Sequence, residues 1–135
     1  MFISIFVKSI SIDPFKSLLL PEFLDIFNDH ARVQAWFDVE VALAKAQGQL
    51  GVIPEEAAQE ISQKAVVENV DVSEIGQGIS ATAHPIVPAI RALEEICDNG
   101  AGEYIHYGAT TQDVMDTGLV LQIKKSWPII LRDLT

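Results

Sequence analysis

Two short stretches concentrate the residue types that handle protons and anions. One is Ser80-Ala81-Thr82-Ala83-His84-Pro85. The other is His106-Tyr107-Gly108-Ala109-Thr110-Thr111-Gln112-Asp113. Each sets an imidazole and hydroxyl groups in a segment that reads as a loop leading into a helix. A helix start presents unpaired N–H groups and about half a positive charge. Thr hydroxyls add donors, and an imidazole can donate a hydrogen bond or a proton near neutral pH. Gly108 lets the backbone come close to a ligand. The two loops are therefore suited to clamp a carboxylate or a phosphate. Capping alone also accounts for a Thr at a helix start, so Thr110 and Thr111 carry a structural reading beside the functional one. His30 and the Glu94-Glu95 pair read as solvated surface.

Other chemistries lack their parts. Cys97 is the lone cysteine, and His84 and His106 have no His or Cys partners at metal-ligand spacing. Neither a disulfide framework nor a metal site is expected. Gly76-Gln77-Gly78 follows no strand, so it is no dinucleotide fingerprint, and there is no Gly-x-Ser-x-Gly and no Walker loop. Lys plus Arg number 9 against 19 Asp plus Glu, a net charge of −10. That balance argues against nucleic acid or an anionic membrane as partner, since both require clustered cations. The single cysteine fits a reduced, cytoplasmic setting.

The elements that must carry these stretches read as helices. With 135 residues, 49% of them apolar, the chain can bury a core. Met1 to Lys8 is apolar but lacks a basic start and a cleavage site, so it reads as a short extended arm. A turn is expected over Glu22 to Phe27. Asn28 or Asp29 caps a helix from His30 to Gln49, with Trp36, Leu43 and Leu50 on one line and Gly48 and Gly51 at its end. Pro54 opens the next helix, with Ala57, Ile61 and Ala65 on its apolar face. Asp71 or Ser73 starts a short helix that is expected to stop at Gly76-Gln77-Gly78. His84-Pro85 opens a helix that buries Ile86, Ile90, Leu93 and Cys97. Gly100 to Ala109 reads as a glycine-rich loop. Thr110 or Thr111 caps the last helix, with Val114, Leu121 and Pro128 in line and a kink or break at Pro128. The fold class is all-α.

The order of several motifs resembles the fumarase/aspartase superfamily, in the branch of adenylosuccinate lyase and 3-carboxy-cis,cis-muconate cycloisomerase. The stretches that carry the resemblance are Arg32-Val-Gln-Ala-Trp36-Phe-Asp-Val-Glu40, Leu50-Gly-Val-Ile-Pro54, Thr82-Ala-His84-Pro85-Ile-Val and, above all, His106-Tyr-Gly-Ala-Thr-Thr-Gln-Asp-Val-Met-Asp116-Thr117. The resemblance runs from about Asp13 to Thr135. It implies an extended arm over 1–12, a small N-terminal helical domain over 13–109 and, over 110–135, the first part of a central long-helix bundle. It further implies a homotetramer with active sites assembled from three subunits, no cofactor, and a small anionic substrate, a dicarboxylate or a succinylated compound. The implied chemistry is a β-elimination that releases fumarate, or the related cycloisomerisation. A base removes the proton next to a carboxylate, and donors stabilise the resulting anion.

Carried over residue by residue, His84 and His106 fall on the family's two early substrate-contacting histidines, in supporting catalytic roles. Thr82 and Ala83 stand beside His84, and Tyr107 beside His106. Thr110 and Thr111 match the pair that binds a substrate carboxylate. Asp113 and Asp116 are expected to hold the loop and helix in place. His84 favours a lyase, whereas Asp116-Thr-Gly-Leu-Val-Leu-Gln-Ile123 is closer to the cycloisomerases. The family's catalytic Ser loop and its later acid His are not among these residues. The last helix is still running at Thr135, with Ile129, Ile130 and Leu134 expected to lack partners. The chain is therefore expected to be the first part of an enzyme, cut inside a bundle helix and inactive alone. A non-catalytic helical interaction module is the competing expectation.

Overall fold

The computed structural model describes residues 21–135, so the expected arm over 1–12 and the start of the 13–109 domain lie outside the described residues. Among the described residues all regular structure is helical: α1 (Pro21–Ile26), α2 (Asp29–Gln49), α3 (Glu55–Lys64), α4 (Val72–Thr82), α5 (Val87–Ile96) and α6 (Thr111–Leu134). Two short 3-10 turns, Val67–Asn69 and Ala101–Tyr104, complete the set. No helix among the described residues is long and apolar enough to cross a membrane.

The segment expected as a turn after Pro21 is the six-residue helix α1. Asn28 explains both its end and the start of α2. Its amide nitrogen donates to the carbonyls of Leu24 and Asp25 at 2.9 and 3.1 Å, while its Oδ1 accepts from Ala31 N at 2.8 Å. One side chain thus satisfies orphaned groups of two helix ends.

Helix α2 is the central strut, packed along both α3 and α6. It buries Val33, Ala35, Trp36, Phe37, Glu40 and Ala44. Leu50, expected on the same line, is 79% exposed, because it sits at the C-cap where the chain leaves the core. Gly51 then turns with φ +68°. Gly48 has a packing reason: a Cβ there would meet the Ala58 Cβ at 2.8 Å. Helix α3 buries Ala57, Ala58 and Ile61, with Ala65 just beyond it, as its spacing predicts. Phe37, Ile61, Ile86, Leu93 and Val114 are almost wholly inaccessible. Each such side chain contributes ~1.5–3 kcal/mol of burial free energy.

Helix α4 does not stop at Gly76-Gln77-Gly78. It is capped by the Asp71 side chain and runs to Thr82. Gly78 is there for proximity: a Cβ on it would meet the Pro88 Cβ at 2.9 Å, so α4 and α5 approach closely, whereas a Cβ on Gly76 would meet open space. Helix α5 begins at Val87, later than His84-Pro85, and buries Ala89, Ile90 and Leu93. Ile86 is buried as its N-cap residue, and Cys97 is half-buried at its C-cap. The stretch expected as a loop after Gly100 contains the Ala101–Tyr104 turn, where a Cβ on Gly102 would meet the Glu94 carbonyl oxygen at 2.9 Å.

Helix α6 continues through Pro128 to Leu134, so no break occurs there. The inward line is also different from Val114, Leu121 and Pro128. It is Val114, Gly118, Gln122 and Ser126, spaced by four residues. A Cβ on Gly118 would meet Trp36 Cδ1 at 2.9 Å, and Gln122 donates to the Ile26 carbonyl at 2.6 Å. The small and polar side of α6 therefore faces α2 and α1. Its larger apolar residues, among them Leu119, Val120, Ile123, Trp127, Leu131 and Leu134, are exposed.

Candidate functional site

The second chemistry-bearing stretch begins in a left-handed turn. His106 has φ +60°, a conformation that costs a non-glycine residue ~1–2 kcal/mol. Helix α2 holds it there. Glu40, 2% exposed, accepts from His106 N at 2.9 Å through Oε2 and meets His106 Nδ1 at 2.7 Å through Oε1. One helix face further along, Gln47 Nε2 donates to the Tyr107 carbonyl at 2.7 Å. Ile105 is buried beside them and anchors the turn in the core. A carboxylate oxygen only accepts, so an ionised Glu40 pairs with the tautomer that carries its proton on Nδ1. Nε2 has no hydrogen-bond partner among the described residues, and the His106 side chain is 19% exposed.

After this turn the chain reaches the start of α6. Thr110 is the N-cap residue, with φ −106° and ψ 135°, yet its hydroxyl makes no capping bond. The starts of α2 and α4, by contrast, are closed by the Asn28 and Asp71 side chains. The Asp113 N–H turns back to the Thr110 carbonyl at 3.0 Å. The N–H groups of Thr111 and Gln112 find no acceptor among the described residues. The start of α6 thus presents two backbone donors, two hydroxyls and the positive end of a 24-residue helix. Asp116 Oδ1 accepts from Gln112 Nε2 at 2.7 Å on the outer face of the first turns, and Asp113 is exposed.

The first stretch sits differently from its expectation. Ser80 and Thr82 lie in the last turn of α4, and their hydroxyls bond back to Gly76 O and Gly78 O at 3.0 and 2.8 Å. Ala83 is the C-cap residue with φ +54°. His84 follows, its N–H directed to Thr82 Oγ1 at 3.3 Å. This stretch is therefore a helix end, where the dipole is negative, and the anion-binding argument from a helix start does not apply to it. What remains is the imidazole. His84 Nδ1 is buried with no hydrogen-bond partner among the described residues. Thr82 also lines a groove of about 400 Å³ between α4 and α5, with Asp71, Glu74, Arg91 and Glu95.

No hydrogen bond among the described residues joins residues 80–85 to residues 106–111. Each stretch is organised by its own neighbours. Glu40 and Gln47 escaped the reading by residue type, because acids and amides in an amphipathic helix read as surface. The available signal was position: Glu40 interrupts the apolar line of Val33, Phe37 and Ala44. Among the described residues no three His, Cys, Asp or Glu side chains converge as metal ligands. Cys97 is a poor nucleophile. Burial, reinforced by Glu60, Asp98 and Glu94 against the opposing Lys64, raises its thiol to about 11.

A family model described as lyase matches residues 18–135. The N-acetyl-S-(2-succino)cysteine lyase of Enterococcus italicus is 45% identical over 108 residues, covering 80% of this chain and 24% of that protein. The adenylosuccinate lyase of Methanocaldococcus jannaschii is 44% identical over 110 residues, 82% of this chain and 24% of that protein. The crystal structure of the 3-carboxy-cis,cis-muconate lactonizing enzyme from Pseudomonas putida superposes with a TM-score of 0.81 at 36% identity, covering 85% of this chain and 26% of that one. The chain thus spans about a quarter of the length of each.

Proposed function

Since the chain belongs to the fumarase/aspartase superfamily of lyases, we propose that it supplies part of the substrate cradle of an enzyme that eliminates fumarate from a succinylated substrate. The observation that carries this reading is the open start of α6. Thr110 and Thr111 offer hydroxyls, and Thr111 and Gln112 offer backbone N–H groups, at the positive end of a long helix. Such a cluster binds one carboxylate and gains strength as negative charge builds during proton abstraction. His106 and Tyr107 stand a few residues upstream and meet the same substrate. His84, with Thr82 and Ala83, contributes a second imidazole in a supporting role. No cofactor enters this chemistry.

The abstracting base belongs to the serine segment that the family resemblance places outside these residues. Residues 13–109 act as the small helical domain and residues 110–135 as the start of the bundle. The exposed apolar side of α6 is then the surface that packs in a homotetramer. A cycloisomerase reading is the second choice. It is supported by the likeness to the muconate lactonizing enzyme at a TM-score of 0.81.

A chimera tests the assignment. Residues 18–135 would replace the matching segment of the Enterococcus italicus enzyme, and fumarate release would be followed with N-acetyl-S-(2-succino)cysteine and with adenylosuccinate. Release from either one supports the reading, and Thr111→Val in the chimera should cut it ~100-fold or more, since a lost transition-state donor costs ~2.7–4 kcal/mol in well-ordered sites. A chimera that folds and assembles like its parent yet releases fumarate from neither substrate overturns it.

A further inference from the structure

We infer that Glu40 is a positioning residue that commits Nε2 of His106 to proton exchange with the ligand. The inference rests on the reading of His106 as a substrate contact, but its geometry stands without a substrate. Glu40 lies on the buried face of α2, 2% exposed, where a carboxylate persists only when well bonded. Both of its oxygens go to the same residue: Oε2 takes the His106 backbone N–H at 2.9 Å and Oε1 takes ring Nδ1 at 2.7 Å. The first bond fixes the left-handed turn at φ +60°. The second fixes the ring within that turn. Gln47 holds the next carbonyl, so the backbone on the far side of His106 is tied to the same helix.

The chemical consequence follows from what a carboxylate can do. It accepts and cannot donate, so Nδ1 keeps its proton whether the ring is neutral or charged. The proton that comes and goes is the one on Nε2. That nitrogen has no protein partner among the described residues, and part of the side chain is exposed. A carboxylate bonded to one nitrogen of an imidazole is a known means of fixing tautomer and orientation. Here it comes from α2, the helix packed along both α3 and α6.

The Glu40→Gln variant provides the discriminating test. Gln keeps one oxygen for the His106 N–H but places an NH₂ opposite Nδ1. Nδ1 must then accept, and the neutral ring must carry its proton on Nε2. Long-range proton–nitrogen NMR spectra of the 135-residue chain, recorded at a pH high enough to neutralise the ring, report the tautomer of each histidine. Exposed His30 serves as the internal reference. The expected result is a neutral His106 with the Nδ1–H pattern in the wild type, replaced by the Nε2–H pattern in Glu40→Gln, with His30 unchanged. A wild-type His106 in the Nε2–H form overturns the inference, whether or not the variant folds. An Nδ1–H pattern that persists in a folded Glu40→Gln also overturns it. The substrate reading is tested separately, in the chimera described above. If the tautomer reverses but His106→Gln leaves fumarate release unchanged there, Glu40 still orients the ring and the assignment of His106 to the substrate fails. If His106→Gln abolishes release but the tautomer does not respond to Glu40→Gln, the substrate reading stands and the inference about Glu40 falls.

Discussion

At His106 a buried carboxylate takes both the backbone N–H and the ring Nδ1. At His84 the ring Nδ1 is buried and has no partner among the described residues. The two imidazoles close two helix junctions, yet among the described residues one is clamped by hydrogen bonds from a central helix and the other is held by hydrogen bonds within its own turn. The His106 junction draws on long-range hydrogen bonds, from Glu40 and Gln47. The His84 junction draws on local ones, from Thr82 to Gly78 and from His84 to Thr82. Long-range clamping fixes a group before a ligand arrives, which is the condition for electrostatic preorganisation.

Substitution at the clamps tests this contrast most sharply. Glu40→Ala removes two acceptors and leaves a hole beside the His106 N–H, so it should cost ~3 kcal/mol, whereas His84→Ala should cost under ~1 kcal/mol. Urea unfolding followed by circular dichroism measures both, and equal losses would break the comparison. The glycines beneath each junction come next. Gly102→Ala drives a Cβ against the Glu94 backbone, with the carbonyl oxygen at 2.9 Å and Cα at 3.2 Å. It should cost ~2–3 kcal/mol, because a helix backbone cannot give way. Gly78→Ala meets only the Pro88 ring, at 2.9 and 3.1 Å, and should cost ~1 kcal/mol. The same unfolding experiment ranks them, and the reverse order would show that the His84 junction is the stiffer one.

A smaller effect of opposite sign is expected at Ala83, whose φ of +54° suits glycine. Ala83→Gly should stabilise by ~0.5 kcal/mol, the relief of left-handed strain less the added freedom of the unfolded chain. Thermal melts detect this as a rise of a few degrees at most. The least disturbing probe is Cys97, at the C-cap of α5, the helix that runs from one junction toward the other. Its thiol is raised from 9.0 to about 11. At neutral pH the thiolate is then about 100-fold scarcer than in the unfolded chain, so alkylation should be slow until α5 opens. The sign follows: the folded form retains this proton more tightly. Its contribution to stability is complete below pH 9.0 and is lost as the pH rises through about 11. Alkylation at the rate of a free thiol would show that the helix linking the junctions is open.

How far these junctions were legible in the sequence depended on the range of the forces that made them. The Asn28 cap, the apolar faces of α3 and α5, and Thr110 as the residue before the last helix were readable, because capping and helical periodicity are local. The continuation of α4 through Gly76 and Gly78 was not, because the reason for Gly78 is Pro88 on another helix. That error misplaced Thr82, which ends a helix and does not lead into one. Glu40 lies within the Arg32–Glu40 motif, but its partner His106 is 66 residues away, and only the folded chain brings the two together. On α6 the inward line was misjudged for a related reason. Gly118, Gln122 and Ser126 are small or polar, and a search for apolar periodicity passes over them.

That last feature also determines how the protein behaves as a colloid. With the small and polar side of α6 turned inward, Leu119, Val120, Ile123, Trp127, Leu131 and Leu134 meet the solvent. What opposes the meeting of two such surfaces in dilute buffer is long-range repulsion from a net charge of −10. That repulsion shortens to about 10 Å at 0.1 M salt and vanishes near the pI of about 4.5. Ionic strength and acidity, acting through a charge spread over the whole chain, therefore set how often the outer face of a single helix meets another.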